Sequence, residues 1–204
     1  MTGHITPRSI ASSLARGTSR TTRTRTRTPR ARWTRRAPIA RAAASEHVYR
    51  YETIDLGTTL GGIDFKDLSE HIDRAIERAG VREGAVHVIS RHTTTAVTIN
   101  ENEERLIDDA RMYLSRLAPA DDFYLHNDLD RRRGPADWPG GDEAWRAQEP
   151  RNCHSHLLSM LIGNSAVVPV SEGKTTLGTW QSVMFVELDG PRERTVGIQV
   201  VGIK

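Results

Sequence analysis

Apolar and polar residues alternate in several short runs of the chain, and elsewhere they recur at helical spacing. Val48 to Leu56 predicts a first strand, with Tyr49 and Tyr51 on one face. Ala85 to Ser90 predicts a second. Its Val86 and Val88 alternate with His87 and Ile89, so burial on both faces is expected and His87 reads as core. Thr95, Val97 and Ile99 mark a third strand, and Val167 to Val170, Val183 to Leu188 and Thr195 to Ile203 mark three more. Ser171 to Lys174 and Asp189-Gly190-Pro191 read as hairpin turns, and Leu177-Gly-Thr-Trp-Gln181 as a bulge-like entry to the strand that follows. Gly61, Gly62 and Asp64 read as a loop. Asp67 then leads a helix whose Leu68, Ile72, Ala75, Ile76 and Ala79 form one face and whose stop is Gly80, with His71 on the surface. Leu106, Ala110, Tyr113, Leu114 and Leu117 predict a second helix, and Asn100 stands before Glu103 at capping-box spacing. Leu157 to Ile162 predicts a short third helix, opened by His154-Ser-His156 and stopped by Gly163-Asn164. Residues 119–152 are rich in Asp, Pro, Gly and Arg around Trp138 and Trp145, and read as a long loop, with Arg131 to Arg133 as a solvated tip. The whole is α+β: a mainly antiparallel sheet or sandwich with two or three helices packed on it.

Charge divides the chain. Residues 1–45 hold eleven arginines and no acid, which leaves 18 basic against 26 acidic residues in 46–204. The formal net charge of +3 therefore hides an acidic body of −8. The first 45 residues show no apolar period and cannot build a core, so disorder is expected there. Arg, Ser and Thr without acids, ending in the small residues Ala42 to Ser45, predict an organelle transit peptide. Its Thr and Ser content favours the plastid stroma over the mitochondrion. A basic arm for nucleic acid or a solvated tail would share this composition; the transit peptide is preferred, and no nucleic-acid partner is expected. Residues 46–204 then form one domain. No apolar run is long enough to span a bilayer, so no membrane partner is expected. The single cysteine, Cys153, cannot form an internal disulfide.

Candidate chemistry gathers at element ends. His92 opens the strand that Asn100 and Glu101 end, and Thr93 and Thr94 supply hydroxyls beside it. Glu103 and Glu104 are explained by the helix dipole. His126 and Asn127 follow the second helix, and His156 opens the third. Neutral imidazoles from separate elements are a common way to hold zinc in an open catalytic site. His92, His126 and His156 are the three to assemble, although three unrelated polar histidines would give the same composition. His154 is either a fourth ligand or a bystander, because residues two apart in a helix point to nearly opposite sides. Trp180 is either core or a platform for a ring.

The segments His92-Thr-Thr-Thr-Ala-Val-Thr-Ile-Asn-Glu-Asn102, Tyr124-x-His126-Asn127, Ser155-His156-Leu157 with Leu161-Ile-Gly163, and Leu177-Gly-Thr-Trp-Gln181 occur in this order. Together they resemble the YjbQ family, described as secondary thiamine-phosphate synthases, over about Val48 to Ile203. The resemblance implies an antiparallel α+β fold, a homotrimer, and a metal-binding site at His92, His126 and His156 for a divalent ion such as zinc. It adds Glu101, Asn127, Thr179, Trp180 and Gln181 as catalytic positions, with Thr93 and Thr94 toward a bound phosphate. The implied reaction joins an aminopyrimidine pyrophosphate to a thiazole phosphate and releases pyrophosphate. Two other functions stand beside it: a metal-dependent hydrolase or lyase acting on a small phosphorylated or carbonyl compound, and a trimeric anion-binding module without turnover. The body lacks the acidic cluster that usually holds magnesium-pyrophosphate, which weighs against a dedicated synthase.

Overall fold

The strand pattern near the C-terminus builds the centre of the molecule. In the computed structural model, which describes residues 46–204, Glu193–Ile203 forms β8. Its even-numbered Val196, Ile198 and Val200 are buried. On one side β8 pairs with β1 (His47–Thr58), on the other with β3 (Glu83–Ser90), and β5 (Ser165–Ser171) and β6 (Lys174–Thr175) continue the sheet beyond β3. A second sheet has β7 (Ser182–Gly190) between β2 (Gly62–Asp67) and β4 (Thr95–Asn100). All six pairings are antiparallel. The expected leader, 1–45, lies outside the described residues.

The two sheets stack into a sandwich with helices on the small sheet. Val97, Val183 and Phe185 meet Val86, Val88, Val168, Ile198 and Val200 between the sheets. Helix α1 (Ser69–Ala79) packs Ile72, Ala75, Ile76 and Ala79 into the same core. It ends at Gly80, whose φ of 66° only glycine adopts freely. The other face of the small sheet, Ala96, Val186 and Leu188, packs on Leu114 of α2 (Glu104–Leu117) and Leu158 of α4 (Cys153–Ile162). Central β7 is therefore buried on both faces, and full burial of a side chain such as Phe185 stabilises by about 1.5–3 kcal/mol. Two serines dock α4: Ser159 donates to the Thr95 carbonyl at 2.7 Å, and Ser155 to the Leu188 carbonyl. Among the described residues no helix is long and apolar enough to cross a membrane.

Several expectations are corrected. Asp189 to Pro191 is not a hairpin turn, because β7 and β8 belong to different sheets and the turn carries the chain from one to the other. The Ser171–Lys174 hairpin is present, with Glu172 and Gly173 both at positive φ. Gly62 and Asp64, read as part of a loop, and Asp67, read as leading the helix, all belong to β2; a buried Asp64 interrupts its apolar alternation. Asn100 does not cap α2. It ends β4, and Glu103 caps the helix by accepting from the amides of Arg105 and Leu106 at 3.0 and 2.8 Å. His87 and Ile89 of β3 are exposed rather than core, since among the described residues no layer covers the outer face of the large sheet.

The segment 119–152 is not a structureless loop either. It holds 3-10 turns at Leu125–Asn127 and Leu129–Arg131 and a helix α3 (Gly141–Gln148), so the four α-helices among the described residues exceed the two or three expected. Trp145 is its buried anchor. The Arg132 guanidinium lies 4.9 Å from the Trp145 ring centre and pairs with Glu149 at 2.8 Å, while Arg146 donates to the Arg132 carbonyl. This lobe carries Glu149 and Pro150 to the rim of the cleft described next.

Candidate functional site

A buried ion pair forms the base of the site. Glu187 is an inward-facing residue of β7 and is fully buried. Arg194 of β8 donates to both of its oxygens, Nε to Oε2 at 2.6 Å and Nη2 to Oε1 at 2.7 Å. The Thr59 hydroxyl and the amides of Leu188 and Asp189 also donate to the carboxylate. Burial pushes the Glu187 carboxyl up, but the bonds from Arg194, the Asp189 amide and Thr59 outweigh it and hold the group below the ordinary carboxylate range. Arg194 Nη2 also donates to Thr94 Oγ1 at 2.9 Å, and the Leu188 amide donates to the Thr94 carbonyl. The pair therefore fixes the His92–Thr95 turn to β7.

His92 is held from the other side. The Thr195 amide donates to its Nε2 at 3.1 Å, which sets the neutral ring as the Nδ1–H tautomer. The Thr95 hydroxyl donates to the His92 carbonyl, and the Ser90 and Thr95 hydroxyls bond each other beneath the turn. Burial first, then the nearby Arg194 and Arg91, push the His92 pKa down against the pull of Glu187.

His156 shares a cleft of about 400 Å³ with His92. Around them stand Thr93, Asn152, Asp189 and three arginines, Arg91, Arg192 and Arg194. His126 lies against His156 edge to face, with ring centres 4.8 Å apart, and its Nε2 is buried without a hydrogen-bond partner among the described residues. Burial, then Arg132 and His156, push the His126 pKa down, with Glu149 opposing. His154 is also pushed down by burial, and its Nδ1 is buried without a partner. The segment carrying His154 and His156 is helical, which settles the choice between a helical and an extended His-x-His in favour of the helix. Asn127 has a structural role: its Oδ1 accepts from the Cys153 amide at 3.1 Å and so caps α4.

The remaining sequence-predicted residues are elsewhere. Thr95 faces Glu187 across the β4–β7 ladder, whereas Asn100 faces Ser182 at its other end. Glu101 and the Thr179-Trp180-Gln181 segment therefore belong to the far end of the small sheet, roughly 20 Å from the His92 turn at about 3.3 Å per residue. Glu101 lines an apolar groove with Phe65, Leu106 and Tyr113, not the histidine cleft. Trp180 is 73% exposed, so core packing does not explain it. Gln181 Oε1 accepts from the Gly178 amide and closes its own loop.

Of the three expected metal ligands, His126 and His156 lie side by side and His92 is engaged by the Thr195 amide. Among the described residues no three His, Cys, Asp or Glu side chains converge as ligands. The His126–His156 pair fits, since one buried nitrogen there lacks a partner. His92 does not: its Nε2 lone pair is taken by the Thr195 amide and its Nδ1 carries the proton. Sequence reasoning also missed Glu187, Arg194, Asp189, Arg192 and Asn152. Glu187 left a readable signal, as the one charge in the apolar run Val183 to Leu188 at the inward position set by Val183 and Phe185.

Fold and site together define a two-sheet α+β domain with a cleft of histidines and arginines at one end of the sandwich. The chain belongs to the family described as UPF0047 protein YjbQ-like, whose model matches residues 52–203. It is 38% identical over 140 residues to a UPF0047 protein of Methanothermobacter thermautotrophicus, covering 69% of this chain and 84% of that one. A UPF0047 protein of Archaeoglobus fulgidus is 36% identical over 139 residues, covering 68% and 92%. Among solved structures, a YbjQ-like protein of unknown function from Sulfolobus solfataricus superposes with a TM-score of 0.64 at 26% identity, over 77% of this chain and 99% of that one. A hypothetical protein from Aeropyrum pernix gives 0.62 at 31% identity, over 75% and 98%.

Proposed function

We propose that the protein is an enzyme acting on a small phosphorylated molecule in the histidine–arginine cleft. The observation that carries this reading is the joining of His92 and His156 to three arginines in one cleft. His92, and His126 behind His156, have depressed pKa values and are neutral at pH 7. A neutral imidazole with an unengaged nitrogen, as at His126, accepts a proton, whereas His92, whose Nε2 is taken by the Thr195 amide, can only donate from Nδ1; the arginines neutralise anionic charge on substrate or leaving group.

The specific reaction proposed is formation of thiamine phosphate from its pyrimidine and thiazole precursors. Its pyrophosphate leaving group needs cationic donors, and in this chain arginines supply them where other enzymes use magnesium held by carboxylates. A divalent metal such as zinc is proposed at His126 and His156, where it would add Lewis-acid stabilisation of charge. These two imidazoles are one short of the three protein ligands usual in open zinc sites. A metal-dependent hydrolase or lyase would use the same histidines on a different phosphorylated compound.

A homotrimer is proposed as the working form. Cyclic, heterologous contacts bring one end of a subunit to a different end of the next. Such a ring would reunite the Glu101–Trp180 end of one subunit with the histidine end of its neighbour, which fits the exposure of Trp180. Residues 1–45 are proposed to direct the chain to the plastid.

The test is to incubate the purified full chain with both precursors and follow thiamine phosphate, with elemental analysis of the dialysed protein. Product formation that depends on His156 is expected. Metal retention without product would favour the hydrolase or lyase reading, and neither metal nor product would favour an anion-binding module.

A further inference from the structure

We infer that Arg192 is the residue that grips the substrate's phosphoryl group, set in place by a relay from Asn152 through Asp189. This rests on the reading of the cleft as a site for a phosphorylated molecule. The three cleft arginines are not equivalent. Arg194 spends Nε and Nη2 on Glu187 and Thr94 and is almost wholly buried. Arg91 donates Nη1 to the Thr53 hydroxyl at 3.3 Å. Arg192 is held only through Nε, which donates to Asp189 Oδ2 at 2.9 Å and to the Asp189 carbonyl at 3.2 Å. Its two terminal nitrogens have no partner among the described residues. A guanidinium fixed by Nε with its outer edge free presents a fork suited to two oxygens of one oxyanion.

The relay behind it is built rather than incidental. Asn152 donates Nδ2 to the same Asp189 Oδ2 at 2.7 Å. Asn152 is only 6% exposed, lines the cleft, and has its Oδ1 buried with no partner among the described residues. The Asn152 carbonyl also accepts from the amides of Ser155 and His156, so one residue orients both the arginine and the helix that carries His156.

The charges favour an anion. Arg194 is offset by Glu187, Arg192 by Asp189, and the rim carboxylate Glu149 by Arg132. Arg91 has no carboxylate partner among the described residues, and residues 1–45 contain no acid that could provide one. One positive charge is thus left over at the cleft. Arg91 and the exposed Thr93 hydroxyl line the same cleft as the Arg192 fork, and three donor groups suit the three terminal oxygens of a phosphoryl group better than the two of a carboxylate.

The test is isothermal titration of the full chain with inorganic phosphate, comparing wild type, Arg192→Gln, Arg192→Lys, Asp189→Asn and Asp189→Ala. Loss of the charged bidentate contact should weaken phosphate about 10- to 100-fold in both Arg192 variants, because lysine keeps charge without the fork. Asp189→Asn keeps an acceptor for Nε and should retain phosphate affinity, whereas Asp189→Ala should lose it. His87→Gln, exposed on the outer face of the large sheet, should bind phosphate within about twofold of wild type, being outside the cleft. Wild-type affinity in Arg192→Lys, or no phosphate binding by the wild type, overturns the assignment. Acetate bound as tightly as phosphate overturns the phosphoryl specificity. If the pattern holds while no thiamine phosphate forms, the subsite stands and the proposed reaction fails. Product formation with phosphate affinity unchanged in Arg192→Gln gives the reverse.

Discussion

Replacing Glu187 with glutamine should unfold the protein at markedly lower denaturant concentration, and the cause lies in what the substitution leaves behind. The new side chain has the same shape, so packing is kept. Arg194 then becomes a buried cation, 5% exposed, facing a neutral amide. Breaking a buried pair by removing one partner typically costs about 3–5 kcal/mol, against about 0–1 kcal/mol for an exposed pair. Glu187 also accepts from Thr59 and two backbone amides, and glutamine can satisfy only part of that set. The upper half of the range is therefore expected, equivalent to a fall in thermal midpoint of roughly 8–20 °C for a domain of this size. Arg194→Met should cost a similar amount by leaving the carboxylate unpaired. The double variant should cost less than the two singles together by about 1–3 kcal/mol, because it removes both orphan charges. Urea unfolding followed by circular dichroism at pH 7 and fixed protein concentration measures all three. Single-variant costs below about 1 kcal/mol, with additive effects, would refute the claim that this pair holds the base of the cleft.

Further tests address the lobe, the pH response and the assembly. Gly134→Ala places a methyl group 2.7 Å from Trp145 Cγ, so the 119–152 lobe should loosen, at a cost of about 1–3 kcal/mol, and trypsin should cut at Arg131–Arg133 faster than in wild type; unchanged cleavage would contradict the packing. His92, His126 and His154 have folded-state pKa values below the ordinary 6.5, so the unfolded chain binds more protons as pH falls through 6.5. Their stabilisation is present above that pH and is lost below it. Glu187 adds a second loss below its ordinary 4.5. Urea midpoints should therefore be flat from pH 7 to 8 and fall below about 6.5; a midpoint that rises on acidification would contradict the assigned shifts. Light scattering should return three protomer masses at micromolar concentration, and a monomer would remove the proposed reunion of Glu101 and Trp180 with the histidines.

Much of the sandwich was legible because its strands alternate strongly. β1, β3, β4, β5, β7 and β8 all fall on predicted runs, and Gly80 marked the end of α1 correctly. β2 escaped because an inward carboxylate, Asp64, breaks the apolar pattern and is answered by Arg111 of α2, a partner distant in sequence. α3 escaped because a single buried residue, Trp145, anchors it, and one anchor makes no period. The site was legible as a set of residues but not as a place. His92 and His156 do share a cleft, whereas Glu101 sits at the far end of the strand that follows His92, a separation set by the length of β4. Arginines of the cleft were hidden among many surface arginines; only their pairing with Glu187 and Asp189 distinguishes them.

The histidines of this cleft are proposed to do chemistry on a phosphorylated substrate. The most direct measurement is the rate of thiamine phosphate formation by the full-length wild type, set against His156→Gln and His126→Gln proteins shown to be folded by circular dichroism. Product is expected with the wild type and a fall of about 100-fold or more in the His156 variant, the scale of a lost general acid–base group, with a smaller loss at His126. Variants that form product at the wild-type rate would contradict the proposal.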